Sequence, residues 1–394
     1  MQRSISIFAG TASCATCVTV KVFAFLAALA CAPTALAAAP DVSFRNEIEH
    51  AIDRGLEWLQ KNQGTNGVWS TADQPAVTAL ALVAFKGDPR GRFKQGEPVW
   101  MRESYDFLLS CVKPDGGIHR SNLVTYNTSI AMLALLAADK PDYDPVIREA
   151  RAYLVGLQGR SDDVYDGGIG YGSKYQHSDM GNTLQALEAL YHSRHLVRKD
   201  VASPEPDLNW QAAIKFLQNC QNLPTVNTQT WVSTDPKDRG GFVYYPGNSM
   251  AGGVTNQQTG RVALRSYGSI SYGGLLSYIY AQMKPNDQRV VAVLNWLKQN
   301  YTLEENPGMG PQGLFYYFHT MTKALSLYGV NELEIAGGRK VDWRKDLASR
   351  LLNLQQRDGS WMNDNGRWWE RDPALVTAYA VLTLELIHKG TTNR

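Results

Sequence analysis

Cysteine is scarce in this chain. Of five, Cys14, Cys17 and Cys31 fall within the first 37 residues, which leaves only Cys111 and Cys220 for the remainder. Two cysteines are no disulfide framework, and no Cys/His spacing of a structural zinc site occurs. Charge of either sign is not in excess: the net value is +2. With no basic run interleaved by aromatics, nothing points to nucleic acid or to an anionic membrane surface. Beyond the N-terminus no apolar run is long enough to span a bilayer. There is no P-loop, no dinucleotide fingerprint and no G-x-S-x-G elbow. The stretch Asp162-Asp163-Val164-Tyr165-Asp166-Gly167 fails as a calcium loop because Val164 holds a ligand place. A thioester-forming G-C-G-E-Q is also missing.

The N-terminus reads as an export signal. Arg3 and Lys21 supply sparse positive charge, an apolar stretch runs from Val22 to Ala32, and Ala35-Leu36-Ala37 is a good cleavage site. Pro33 interrupts the run and keeps it short for a membrane anchor. The expected organisation is a signal peptide over 1–37, with export to the periplasm or beyond, and a single domain over 38–394. About 355 residues then remain, enough for one large helical domain.

What the chain does contain is a repeat. A bulky residue and a Leu open a unit. Gln stands four positions after the Leu in the best copies, and a Gly-rich turn with an aromatic follows. A second apolar segment then opens near a Thr. The best copy is Trp58-Leu59, Gln63, Gly67, Trp69 and then Thr78. Further units start at Phe107-Leu108, Tyr153-Leu154, Phe216-Leu217, Trp296-Leu297 and Leu351. Units of this kind bury their apolar faces by stacking on neighbours.

Each first segment has helical periodicity, with Ile52, Leu56, Leu59 and Gln63 on one stripe. The second segments (TALALVAF, TSIAMLALLA, TLQALEALY, YGGLLSYIYA, TKALSLYGV, TAYAVLTLELI) are apolar nearly all round, as helices buried on both sides are. The expected fold is therefore all-α: an α/α toroid of six hairpins, second helices inside. Leu80, Leu133, Leu187, Leu275, Leu325 and Val381 should be buried in the inner ring. Two stretches break the pattern, Leu223–Tyr267 and Glu304–Phe318, and both should fall at the end where outer helices turn into inner ones. The recurrent Gln is expected to bond orphan backbone groups of its own or the next unit, and the Trp to close the repeat by stacking.

The spacing L-x3-Q-x3-G-x-W, plainest at Leu59-Gln63-Gly67-Trp69 and Leu351-Gln355-Gly359-Trp361, resembles the QW motif of squalene and terpenoid cyclases. Their wider superfamily includes the protein prenyltransferase β subunits. The resemblance covers essentially all of the chain after the leader, and it implies a toroid whose central cavity holds an isoprenoid. The activity motifs depart from the family. Its class II acid element D-x-D-D-T-A is matched by Asp179-Met180-Gly181-Asn182-Thr183, where only Asp179 survives as an acid. A lone carboxyl beside His177 should be ionised; Asp179 is either a catalytic remnant or a helix cap. The prenyltransferase zinc elements are matched by Ser269-Ile270-Ser271-Tyr272, with serines at the ligand places, and by Phe315-Tyr316-Tyr317-Phe318-His319-Thr320, with His319 in the ligand place. Serine is a weak zinc ligand, so no metal and no cofactor are expected. Gly260-Arg261 resembles the element that grips a diphosphate, and Arg265 follows four residues on.

Three function classes stay open: an exported cyclase-like or prenyltransferase-like protein that binds or transforms an isoprenoid or other apolar molecule; a non-catalytic toroidal module; and an α/α-barrel carbohydrate enzyme using two carboxylates. An active enzyme of the first class would be an isomerase or lyase of the cyclase kind, or a transferase. Candidate catalytic residues are His319 and Asp179. Candidate ligand-binding residues are Arg261, Arg265, Tyr272, Tyr316 and Tyr317. Tyr244, Tyr245, Trp368 and Trp369 would suit sugar stacking or a lipid mouth. The expected partner is an apolar small molecule in the central cavity, with no nucleic acid; peripheral membrane contact stays open.

Overall fold

The computed structural model describes residues 42–173, 177–198 and 206–392. The leader expected over 1–37 lies outside the described residues. Among these residues the chain forms twelve α-helices in six hairpins. The first helices are α1 (Val42–Lys61), α3 (Val99–Ser110), α5 (Asp144–Gly156), α7 (Trp210–Asn219), α9 (Gln288–Gln299) and α11 (Trp343–Leu354). The second helices are α2 (Pro75–Gly87), α4 (Val124–Ala138), α6 (Met180–His192), α8 (Gly268–Tyr280), α10 (Leu314–Tyr328) and α12 (Pro373–Thr392). The second helices pack in a closed cycle, α2 on α4, α4 on α6, α6 on α8, α8 on α10, α10 on α12, and α12 back on α2. This is the α/α toroid, and the residues from Val42 on form one compact unit.

The amphipathic first helices bury one stripe; in α1 it is Ile48, Ile52, Leu56 and Leu59. The inner helices bury nearly their whole circumference, and in α8 only Ile279 is not fully buried. Leu80, Leu187, Leu275, Leu325 and Val381 are buried. Leu133 is not: it is half-buried because it faces an open chamber on the toroid axis. Among the described residues regular strand is confined to two short hairpins, Gly253–Thr255 with Val262–Leu264 and Leu333–Glu334 with Lys340–Val341.

The repeat signature is a set of staples between units. Gln63 lies two residues past the end of α1 rather than within it, and its Nε2 donates to Trp100 O (2.9 Å) in α3. Gln158 reaches Asn209 O before α7, Gln221 reaches Arg289 O in α9, and Gln355 reaches Ala51 O in α1, each at 2.9 Å. Each Gln thus ties its hairpin to the next outer helix, and Gln355 ties the last to the first. Val112 stands in the second unit and has no side-chain donor; in the fifth, Tyr301 Oη donates instead to Asp346 Oδ2 in α11 at 3.5 Å. The turn glycines serve the same contact. Gly359 has φ +98°, and a Cβ there would lie 2.6 Å from Arg54 O on α1; Gly167 faces Ala212 O in the same way at 2.1 Å. Only glycine allows that backbone angle and that approach at once.

The recurrent Thr has a local role. Thr78 Oγ1 accepts the Trp69 N–H at 3.1 Å, and Thr128, Thr183 and Thr377 do the same for Ile118, Ile169 and Trp361. In the fourth unit Ser271 takes this place, accepting from Phe242 N at 2.9 Å. The serine compared above with a zinc ligand is therefore the fourth member of the Thr series. Trp69 and Trp361 are fully buried, and their indole N–H groups donate to Leu59 O and Leu351 O, so each closes its own hairpin.

Candidate functional site

Every inner helix begins at the turn end, so a stripe of residues three and four apart on each faces the toroid axis. Two chambers lie along that axis. The turn-end chamber, about 330 Å³, is walled by the first turns of the inner helices, for example Val77, Asn182, Ile270 and Leu375. The far chamber, about 760 Å³, is walled by their last turns, for example Val83, Leu133, His192 and Leu386. Tyr126, Gln185, Tyr316 and Tyr379 line both and form the waist between them. Tyr126 Oη and Tyr379 Oη are hydrogen-bonded at 2.8 Å, and Gln185 Nε2 donates to Tyr316 Oη at 3.4 Å.

Among the described residues no charged side chain lines the turn-end chamber, and eight of its nineteen lining residues are Tyr or Trp. Its rim includes Trp368 and Trp369, exposed at 41% and 46%. Both have left-handed backbone, with φ of +54° and +69°, which costs about 1–3 kcal/mol for a bulky residue. The Trp368 ring packs on Gly313 at the start of α10, where a Cβ would lie 2.8 Å from it, and the Arg367 guanidinium sits 4.9 Å above it. Between Trp369 and α12, the buried Glu370 accepts the Tyr316 N–H at 2.8 Å and Asn363 Nδ2 at 2.6 Å. α10 opens on Gly313, which has no capping side chain, so Glu370 supplies the acceptor that a cap residue would. Burial raises its carboxyl above the usual range.

Asp179 is fully buried behind this wall, under Gly181 and Asn182. It caps α6: Oδ1 accepts Asn182 N at 2.9 Å and Oδ2 accepts Asn182 Nδ2 at 2.7 Å. Burial outweighs these bonds and lifts its pKa to about 6, higher than its place beside His177 suggests from sequence. Tyr244 lines the chamber over Asp179, its phenol bonded to Tyr171 Oη at 2.8 Å.

The remaining sequence candidates are dispersed. Tyr316 lines both chambers. His319 sits in the second turn of α10, past the waist and inside the far chamber rather than at the turn-end mouth. Its ring stacks on Tyr379 at 5.3 Å, Nδ1 has no partner, and burial together with Lys323 holds its pKa well below 6.5. Tyr317 is fully buried between helices, with Oη donating to Thr302 O, and borders neither chamber. Tyr272 packs against Tyr317 at 5.6 Å and likewise lines neither. Arg261 and Arg265 flank an exposed strand, so they are about 13 Å apart along the backbone rather than one helical turn. Arg261 spends its guanidinium on Thr230 O (2.7 Å) and Val232 O (2.5 Å). Among the described residues no three His, Cys, Asp or Glu gather as metal ligands, and Cys111 and Cys220 are both free and buried.

Several site residues escaped the sequence reading: Tyr126, Gln185 and Tyr379 at the waist, and Glu188, Lys323 and Glu385 in the far chamber. The available sign was a lone acid inside each of two otherwise apolar runs, LQALEAL and VLTLELI.

No family model matches the chain. A terpene cyclase/mutase, ntnI of a Nectria species, is 28% identical over 149 residues, which cover 32% of this chain and only 20% of that protein. Among solved structures, an apo variant of the type II terpene cyclase MstE from Scytonema aligns with TM-score 0.55 and 13% identity over 88% of this chain and 99% of its own. The geranylgeranyltransferase-I of Candida albicans complexed with GGPP gives 0.51 and 15% over 87% and 90%. An α-1,6-mannanase of Salegentibacter bound to α-1,6-mannotriose gives 0.52 and 13% over 87% and 99%. The closed double ring of helices is the α/α-toroid fold that the chain shares with these terpene cyclase, geranylgeranyltransferase and mannanase neighbours.

Proposed function

We propose that this protein is exported and that it binds an isoprenoid or another apolar molecule in the turn-end chamber. The observation that carries the reading is the chamber wall, rich in Tyr and Trp and without a charge among the described residues. An apolar ligand there gains hydrophobic burial at about 25 cal/mol per Å² and aromatic packing, while an anionic head would find no counter-charge. The fold neighbours support an apolar ligand: the Scytonema cyclase is also known in complex with geranylgeranyl dihydroxybenzoate as substrate. Export rests on the leader pattern ending at Ala35-Leu36-Ala37.

Asp179 is a single buried carboxyl with no second acid next to it, since Gly181 and Asn182 follow. Alkene protonation needs an acid kept neutral yet strongly acidic, which neighbouring acids sharing a proton can supply. The expected behaviour is therefore binding of an isoprenoid without cyclisation of squalene. The carbohydrate-enzyme alternative needs two free carboxylates facing a sugar, and the turn-end chamber offers none.

The test is native mass spectrometry of protein purified in the presence of a lipid extract. A copurifying isoprenoid-sized apolar ligand, lost on Tyr316→Ala, is the expected result. A polycyclic product from squalene that disappears in a folded Asp179→Asn variant would overturn the non-cyclising reading. Retention of mannotriose but no lipid would overturn the ligand class.

A further inference from the structure

The far chamber is the larger of the two, and its chemistry is unlike that of the turn-end chamber. Two of its wall residues are at least nine-tenths buried and carry a polar atom without a partner: His319 Nδ1 and Glu385 Oε1. Ser326 Oγ, on the same wall, is also unpartnered. Buried polar atoms of this kind are expensive unless something meets them. The surroundings are shaped to keep Glu385 in place. It lies over Gly87 at the end of α2, where a Cβ would come within 2.2 Å of its Oε2.

The charges deep in this wall are paired. Glu188 is bonded to Lys323. Asp88 is held by Arg92 at 2.8 Å, and Lys86 by Glu97 at 3.0 Å. Lys94 and Lys389 are exposed, at the rim. His388 is bonded to Glu49 at 2.8 Å. Burial and the nearby Asp88 raise the Glu385 carboxyl well above its ordinary range, while burial lowers His319 and His192. A neutral carboxylic acid both donates and accepts, and a neutral imidazole does the same through its two nitrogens. Such a wall suits a group that is itself uncharged and can donate and accept. A charged group carried past the rim lysines would have to be desolvated against inner charges that already have partners.

We infer that the far chamber is a second binding site, specific for neutral hydroxyl groups, with Glu385 and His319 as its specificity-determining residues. The hydroxyl belongs either to the alcohol end of an amphiphile that passes the tyrosine waist or to a free polyol. The first of these rests on the proposal that the turn-end chamber takes the apolar part; the second does not.

The experiment uses the full mature chain and two variants, Glu385→Leu and His319→Phe. Both replace an unpartnered polar group by an apolar one of similar size, and thermal unfolding checks that they fold. Calorimetric titration compares geranylgeraniol with the hydrocarbon of the same chain lacking the hydroxyl. Saturation-transfer NMR follows 1,2-hexanediol. The expected result is a preference for the alcohol of about tenfold or more that falls to near unity in both variants, with hydrocarbon affinity unchanged. Equal binding of alcohol and hydrocarbon in the native protein, or a preference that survives both substitutions, overturns the inference and leaves the apolar chamber standing. Failure of both isoprenoids with Glu385-dependent diol binding overturns the apolar reading and supports a free-polyol site. Failure of all three probes overturns both.

Discussion

Asp179→Asn should change the way stability depends on pH. In the folded protein the carboxyl is fully buried, and its pKa rises from an ordinary 3.8 to about 6. The folded state therefore holds the proton more tightly than the unfolded chain does. The stability this contributes is fully present below about pH 3.8 and is lost as pH rises through about 6. Two pKa units at 1.36 kcal/mol each make the loss about 3 kcal/mol by pH 7.5. The Asn amide can keep the cap, since its carbonyl can accept Asn182 N as Oδ1 does, but it carries no titrating proton. Burial also raises the carboxyls of Glu370 and Glu385, so the quantity to follow is the difference between wild type and variant, in which their contribution cancels. Urea unfolding at half-unit steps from pH 4 to 8 should give a difference that moves by about 3 kcal/mol in favour of the variant, with most of the change between pH 4 and 6. A flat difference would refute the reasoning, because it would mean that the carboxylate is solvated in the folded state.

Other outcomes follow from the staples and the rim. Gln355→Ala removes the donor to Ala51 O and Gly359 O; unfolding by urea should show a loss of about 1–2 kcal/mol, whereas Val112→Ala, in a unit without the staple, should show less. Ser271→Ala leaves the buried Phe242 N–H without an acceptor and should cost about 1–3 kcal/mol, with Ser271→Thr close to wild type. Trp368→Gly relieves a left-handed backbone and should raise the melting temperature, while calorimetry shows weaker binding of an apolar ligand at the chamber rim.

The sequence by itself determined the architecture. The near-uniform apolarity of the six second segments required burial on both sides, the Gln and Gly positions marked contacts that join one unit to the next, and the Thr positions marked contacts within a unit. Those contacts are local or between neighbouring units, so the spacing within a repeat encodes them. Asp179 was legible as a helix cap for the same reason, since its partner is Asn182 three residues on. The axis was not legible. Tyr126 meets Tyr379 across 253 positions, and Gln185 meets Tyr316 across 131. No local pattern specifies which tyrosines converge; motif matching named Tyr316 and His319, which do line the axis, together with Tyr272 and Tyr317, which turn into the helix interface. Arg261 and Arg265 failed differently, because spacing by four means one face only on a helix and this segment is a strand. The far chamber depended most on tertiary structure. Glu188 and Glu385 look like errors in apolar helices until ring closure brings Glu188 to Lys323 and sets Glu385 over Gly87. Burial in a shared cavity, which only closure of the toroid creates, makes one of them half of an ion pair and raises the carboxyl of the other well above its ordinary range.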